Sequence, residues 1–94
     1  MIGRIVNLQA LSKKLDTVMI PVESSNIEAF GYNVKSDKLW VLFKNRALYA
    51  YKSNDKEPLY GIFIEGINSE SKGKWVNKSL VNNKQLSVEA YEIK

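Results

Sequence analysis

The sequence predicts an α+β protein: an antiparallel β-meander of three to five strands packed with one or two helices. Three observations lead there. Short apolar runs rich in Leu, Val, Trp and Tyr lie between 27 and 52, joined by turns of a few polar residues. An apolar stripe of helical period follows between 59 and 67. A last alternating run lies between 85 and 91. No internal repeat or linker interrupts the 94 residues, so one domain is expected over 1–94.

The opening segment has two readings. Ile5, Leu8, Leu11, Leu15 and Val18 recur at helical spacing, while Val6, Leu8 and Ala10 also fit a strand. Helix is favoured, and Pro21 then argues for an extended chain, because its fixed φ and missing N–H stop a helix. Strands are expected over Ile27 to Lys35, Leu39 to Lys44 and Leu48 to Lys52. The turn Ser36-Asp37-Lys38 and the connection Asn45-Arg46-Ala47 are short enough only for antiparallel neighbours. Asn54 or Asp55 is expected to cap a helix with Pro58 near its first turn and Leu59, Ile62, Phe63 and Ile67 facing inward. A polar connection over Ser69 to Lys74, a second short helix over Trp75 to Val81 and a final strand over Gln85 to Tyr91 complete the chain.

In Leu39 to Phe43 both faces are apolar: Leu39, Val41 and Phe43 on one, Trp40 and Leu42 on the other. A sheet with one wet face would alternate with polar residues. The second face is therefore expected to be covered, either by the N-terminal segment and last strand or by another copy of the chain. Size points the same way. A domain this small has a thin stability margin, and with no Cys and no His it lacks disulfides and the usual soft metal ligands. Homo-oligomerisation is the support that remains.

The same absences exclude a cysteine nucleophile, a histidine base, a Ser-His-Asp triad and a zinc finger. The S-x-x-K spacing at Ser69 to Lys72 falls in a polar, glycine-flanked loop without partner motifs, and Gly73-Lys74 is followed by Trp75 rather than Ser or Thr. Glu89 and Glu92 read as solvated charges. No catalytic residue, metal or cofactor is expected. Fourteen cations against ten carboxylates give a net charge of +4, and all but Arg4 and Arg46 of the cations are lysine. Lysine suits a phosphate-attracting field better than bidentate reading of bases. No apolar run reaches the length of a membrane span and the first residues lack a signal-peptide pattern, so a cytoplasmic, membrane-free protein is expected.

Binding residues are easier to nominate. Ser71 to Asn77 (Ser-Lys-Gly-Lys-Trp-Val-Asn) offers hydroxyl, ammonium, amide and aromatic groups of the kinds that meet phosphates and bases. It also fits a helix end with Trp75 in the core. Tyr49 and Tyr51 share a strand face that serves equally for stacking on a base or for packing inward. Ser24-Ser25-Asn26 fits either a turn or a set of polar ligand contacts.

Several of these segments together resemble the KTSC family, which also occurs at the C-terminus of some lysyl-tRNA synthetases. The matching pieces are Ser24-Ser25-Asn26-Ile27, Gly31-Tyr32-Asn33, Leu39-x-Val41-x-Phe43, Tyr49-Ala50-Tyr51, Pro58-x-Tyr60 and Ser71-Lys72-Gly73-Lys74-Trp75-x-Asn77. They run from about 20 to 80 in the family's order. Arg46-Ala47 stands where the family usually has a glycine, and Asn54 to Glu57 replaces its short turn. The resemblance implies a small meander with a helix and an RNA-binding association; stand-alone members look like accessory proteins of bacteria and their phages. By analogy with small phage binding proteins, the expected function is a non-catalytic, oligomeric nucleotide binder. Its sharpest form is a phage counter-defence sponge for cyclic oligonucleotide immune signals. Lys72, Lys74 and Arg46 would meet phosphates, Trp75 or Tyr51 would stack on a base, and Ser24, Asn26 and Asn77 would supply polar contacts. The alternatives are an RNA-binding accessory module and a protein-interaction subunit without a nucleotide ligand.

Overall fold

Five strands form one antiparallel sheet in the order of the chain: β1 (Met19–Pro21), β2 (Ile27–Asn33), β3 (Lys38–Phe43), β4 (Leu48–Ser53) and β5 (Leu86–Tyr91). The computed structural model describes residues 7–54 and 57–92. Helix α1 (Leu8–Leu15) precedes the sheet, and α2 (Tyr60–Ile67) and α3 (Lys72–Val76) lie between β4 and β5. The α+β meander expected from the sequence is the observed fold. Among the described residues, three α-helices stand where the fold-class expectation was one or two.

Helix is the outcome for the ambiguous opening segment. Asn7 caps α1, its Oδ1 accepting from the Gln9 and Ala10 N–H groups, and Asp16 ends it in the left-handed region at φ 53°. Ile5 and Val6, part of the two competing apolar patterns, lie outside the described residues, as does Asp55. The extended chain expected at Pro21 is β1, an edge strand ending on that proline.

Of the two caps expected for α2, Asp55 lies outside the described residues and Asn54 is bonded elsewhere. The Asn54 N–H donates to the Gln85 carbonyl at the end of the β4–β5 ladder. Leu59, at the N-cap position of α2, has no side chain that can cap it. Instead Asp37, from the β2–β3 turn, accepts the Leu59 N–H through Oδ1 at 3.0 Å. The same oxygen accepts the Tyr32 hydroxyl in a short hydrogen bond. The Tyr32 hydroxyl is consequently pushed up to about 12, first by burial and then by its bond to the Asp37 carboxylate. Helix α3 also starts earlier than expected, because Ser71 Oγ accepts the Lys74 N–H and caps it. It runs on into a π-helical turn over Asn77–Val81, closed by the Asn82 N–H on the Asn77 carbonyl.

Both faces of β3 are covered from within the chain. Leu39 and Val41 join Ile27, Phe30, Tyr51, Leu59, Phe63, Trp75, Val76 and Leu80 under α2, α3 and the π turn. Trp40 and Leu42 join Ala29, Leu48 and Ala50 on the other face, beneath Leu8, Leu11 and Leu15 of α1. Of the two covers the sequence allowed, the N-terminal helix is the one present. The last strand adds Tyr91, whose ring meets Trp40 at 4.8 Å between centroids. The apolar pattern of β3 therefore gives no ground of its own for a second copy.

Candidate functional site

The segment before β2 and the start of α3 come together to form a polar cleft of about 440 Å³, lined by Glu23, Ser24, Ser25, Asn26, Glu70, Ser71, Lys72, Gly73, Lys74 and Asn77. Five of the eight residues nominated from the sequence meet there: Ser24, Asn26, Lys72, Lys74 and Asn77. They come from two segments more than forty positions apart.

Each wall has a local cause. Ser24 Oγ accepts the N–H groups of Asn26 and Ile27, both at 3.2 Å, which turns the chain into β2. A hydroxyl that accepts in this way keeps its own proton to donate. The Asn26 carbonyl accepts the Lys44 N–H, which fixes this loop to the end of β3 and leaves the Asn26 side chain exposed. On the opposite wall, Lys72 folds its ammonium back onto the carbonyls of Ile67 and Ser69. It thereby satisfies groups at the C-terminal end of α2, where a cation is favoured. Lys72 acts mainly as a brace for the wall. Lys74 and Asn77 are exposed side chains one helical turn apart, and Gly73, just before Lys74, leaves open space beside the backbone.

Two nominated aromatic residues have gone into the core. Trp75 is 6% exposed, its ring edge-on to Phe30 at 5.1 Å and its Nε1–H donating to Glu65 Oε1 at 3.2 Å. Tyr51 is 5% exposed, and burial raises its hydroxyl pKa. Of their two sequence readings, packing is the one observed, and neither ring presents a free face to the cleft. Arg46 is also outside it. It sits in the β3–β4 turn at φ 74°, with its N–H on the Phe43 carbonyl. That left-handed backbone is what a glycine adopts without strain, which accounts for the family's usual glycine at this point.

The sequence reading missed the neighbouring depression of about 550 Å³, which shares Ser25 and Asn26 with the cleft and adds Phe43, Lys44 and Asn45. Lys44 and Asn45 drew no attention because they look like hairpin residues; only the Asn26–Lys44 bond brings them beside the loop. Glu23 and Glu70 were also missed. Their carboxylates formally balance Lys72 and Lys74, so the cleft is polar rather than strongly cationic.

A five-stranded meander with helices on both faces defines the architectural class, a small α+β domain. The model of the KTSC domain matches residues 23–83, from the cleft loop to the end of the π turn, and the chain belongs to that family. The crystal structure of a KTSC domain protein from Yersinia pestis is similar in fold: TM-score 0.62, 20% identity, covering 83% of this chain and 99% of that one. No match is found among curated proteins. Among the described residues, no helix is long and apolar enough to cross a membrane.

Proposed function

We propose that the protein is a non-catalytic nucleotide-ligand binder that works as an oligomer, in its sharpest form a phage counter-defence sponge that sequesters cyclic oligonucleotide signals. The observation that carries this reading is the convergence of Ser24, Asn26, Lys72, Lys74 and Asn77 on one cleft. Its volume is in the range of small-ligand sites, roughly 300–1,000 Å³. Lys74 supplies the ammonium for a phosphate, the Ser24 hydroxyl a second donor, and the Asn26 and Asn77 amides the paired donor and acceptor that a base edge requires. With Trp75 and Tyr51 in the core, the base is held by its edge and not by stacking on either ring. The depression beside Lys44 continues the cleft past Ser25 and Asn26 and gives room for a second phosphate.

The balance of charge favours this reading over an RNA-binding module. Extended RNA is held by many neutralised phosphates and needs an excess of cations, whereas Glu23 and Glu70 cancel that excess here. Titration calorimetry with cyclic dinucleotides, cyclic trinucleotides and short RNAs tests it. Binding of a cyclic species is expected, with a weak dependence on salt. Lys74→Ala should weaken it by about 10-fold or more, the worth of one charge-assisted hydrogen bond. Steep salt dependence with preference for RNA would move the function to the RNA reading. No binding of any nucleotide at millimolar concentration would remove both.

A further inference from the structure

The two edges of the sheet are built very differently. β1 is three residues long and ends on Pro21, which has no N–H to offer, so this edge is blunted. β5 is six residues long, pairs with β4 in unbroken register, and contains no proline and no bulge. Among the described residues, no strand pairs with its outer side. Five of its six residues are exposed, including Val88 at 54%. A long, flat strand of this kind is a template for another strand.

The hydrogen-bond phase can be worked out. The Asn54 N–H donates to the Gln85 carbonyl, and antiparallel ladders alternate, so Leu86, Val88 and Ala90 turn their backbone groups outward. The Leu86 N–H is already taken by the Asn83 carbonyl, leaving the N–H groups of Val88 and Ala90 and the carbonyls of all three.

We propose that β5 pairs antiparallel with β5 of a second copy, across a two-fold axis at Val88, to form a continuous ten-stranded sheet. The sequence of the strand is self-complementary in this register. Val88 meets Val88, Leu86 meets Ala90, and Glu89 stands opposite Ser87. The Val88 and Ala90 N–H groups donate to the Val88 and Leu86 carbonyls of the second copy. Centring the pair on Glu89 would overlap the strands equally well but would set two carboxylates directly opposite each other, which is unfavourable. Apolar pairing at the two-fold axis, with a serine opposite each glutamate, thus selects one occupant, a second copy, and one register. This surface gives the assembly proposed above a location without resting on the nucleotide ligand. β5 contributes no residue to the cleft, so mass and ligand titration fail independently.

Sedimentation velocity of the full chain, from micromolar to several hundred micromolar, tests the pairing. A concentration-dependent dimer is expected. Val88→Pro removes an outward N–H that the fold itself does not use, and Val88→Lys sets two ammonium groups against each other. Each should weaken the dimer by about 10-fold or more. Should Val88→Pro disturb folding by circular dichroism, Val88→Lys and Ser87→Lys decide the matter. Ser87→Lys sets an ammonium opposite Glu89 of the second copy and should tighten association by roughly 2- to 5-fold. A protein that is monomeric throughout, or a dimer indifferent to folded Val88 variants, would overturn the proposal. A Ser87→Lys variant that associates no more tightly would overturn the register.

Discussion

The two faces of the sheet are sealed by different means. On one, α2, α3 and the π turn set aromatic rings into one another: Phe30 against Trp75 at 5.1 Å, and Tyr32 against Phe63 and Tyr60, both at 5.6 Å. On the other, a single eight-residue helix lays Leu8, Leu11 and Leu15 across Ala29, Leu42, Leu48 and Ala50, with one ring pair, Trp40 against Tyr91, beside them. Rigid rings fix a geometry closely but cannot yield, whereas aliphatic chains change rotamer at small cost. Even the tryptophans differ. Trp75 donates its N–H to Glu65, while the buried Trp40 Nε1 has no hydrogen-bond partner among the described residues. The candidate cleft is built on the rigid side, where α3 also carries Lys74.

The contrast is most easily broken at two glycines. A Cβ on Gly66 would collide with the Trp75 ring, which has no freedom to withdraw, while a Cβ on Gly31 would meet mainly the flexible sulfur of Met19. Gly66→Ala is expected to cost about 3 kcal/mol in overpacking, less about 1 kcal/mol regained in helix propensity. Gly31→Ala should cost only about 1 kcal/mol. Urea unfolding of both variants checks the order, and equal losses would mean that the two faces yield alike.

Tyr32 offers a smaller effect, read through pH. Its folded pKa of about 12 lies above the ordinary 10.0, so the neutral hydroxyl is the form the fold holds. The stability this contributes is complete below pH 10 and drains away as the pH climbs from 10 towards 12. Tyr32→Phe should cost about 1 kcal/mol at neutral pH and flatten that alkaline decline, leaving the slope due to Tyr51, which burial also raises. An unchanged decline in chemical unfolding across this window would contradict the assignment. The smallest change is expected at Trp40. Losing ring volume is offset there by removing an unpaired buried donor, so Trp40→Phe should be near neutral, and Trp75→Phe worse by at least about 1 kcal/mol. Thermal unfolding of the pair compares them directly.

Much of this was legible in the sequence, for local reasons. β2, β3 and β4 announce themselves by apolar runs and short turns, and the two apolar faces of Leu39 to Phe43 required covers on both sides. The start of α2 was not legible, because the carboxylate that holds the Leu59 N–H there is Asp37, twenty-two positions upstream and brought near only by the β2–β3 turn. The residue types around Ser71 and Ser24 drew attention to both walls of the cleft, although Ser24 also closes the turn into β2 and Ser71 also caps α3. What spacing could not give was the direction of Trp75, which depends on Phe30 and Gly66 arriving from other elements. Lys44 was hidden for the same reason.

One property of the meander concerns the order in which its ladders are held. The β3–β4 connection spans four residues, 44–47, whereas α2, α3 and the π turn stretch the β4–β5 connection to 32, 54–85. An eightfold longer loop adds about 2 kcal/mol of closure entropy, at roughly 0.6 kcal/mol per doubling. β5 is thus the strand whose detachment chain entropy rewards most, and it has a neighbour on one side only. A second strand docked on its free edge would do more than join two molecules: it would fasten the final ladder of each.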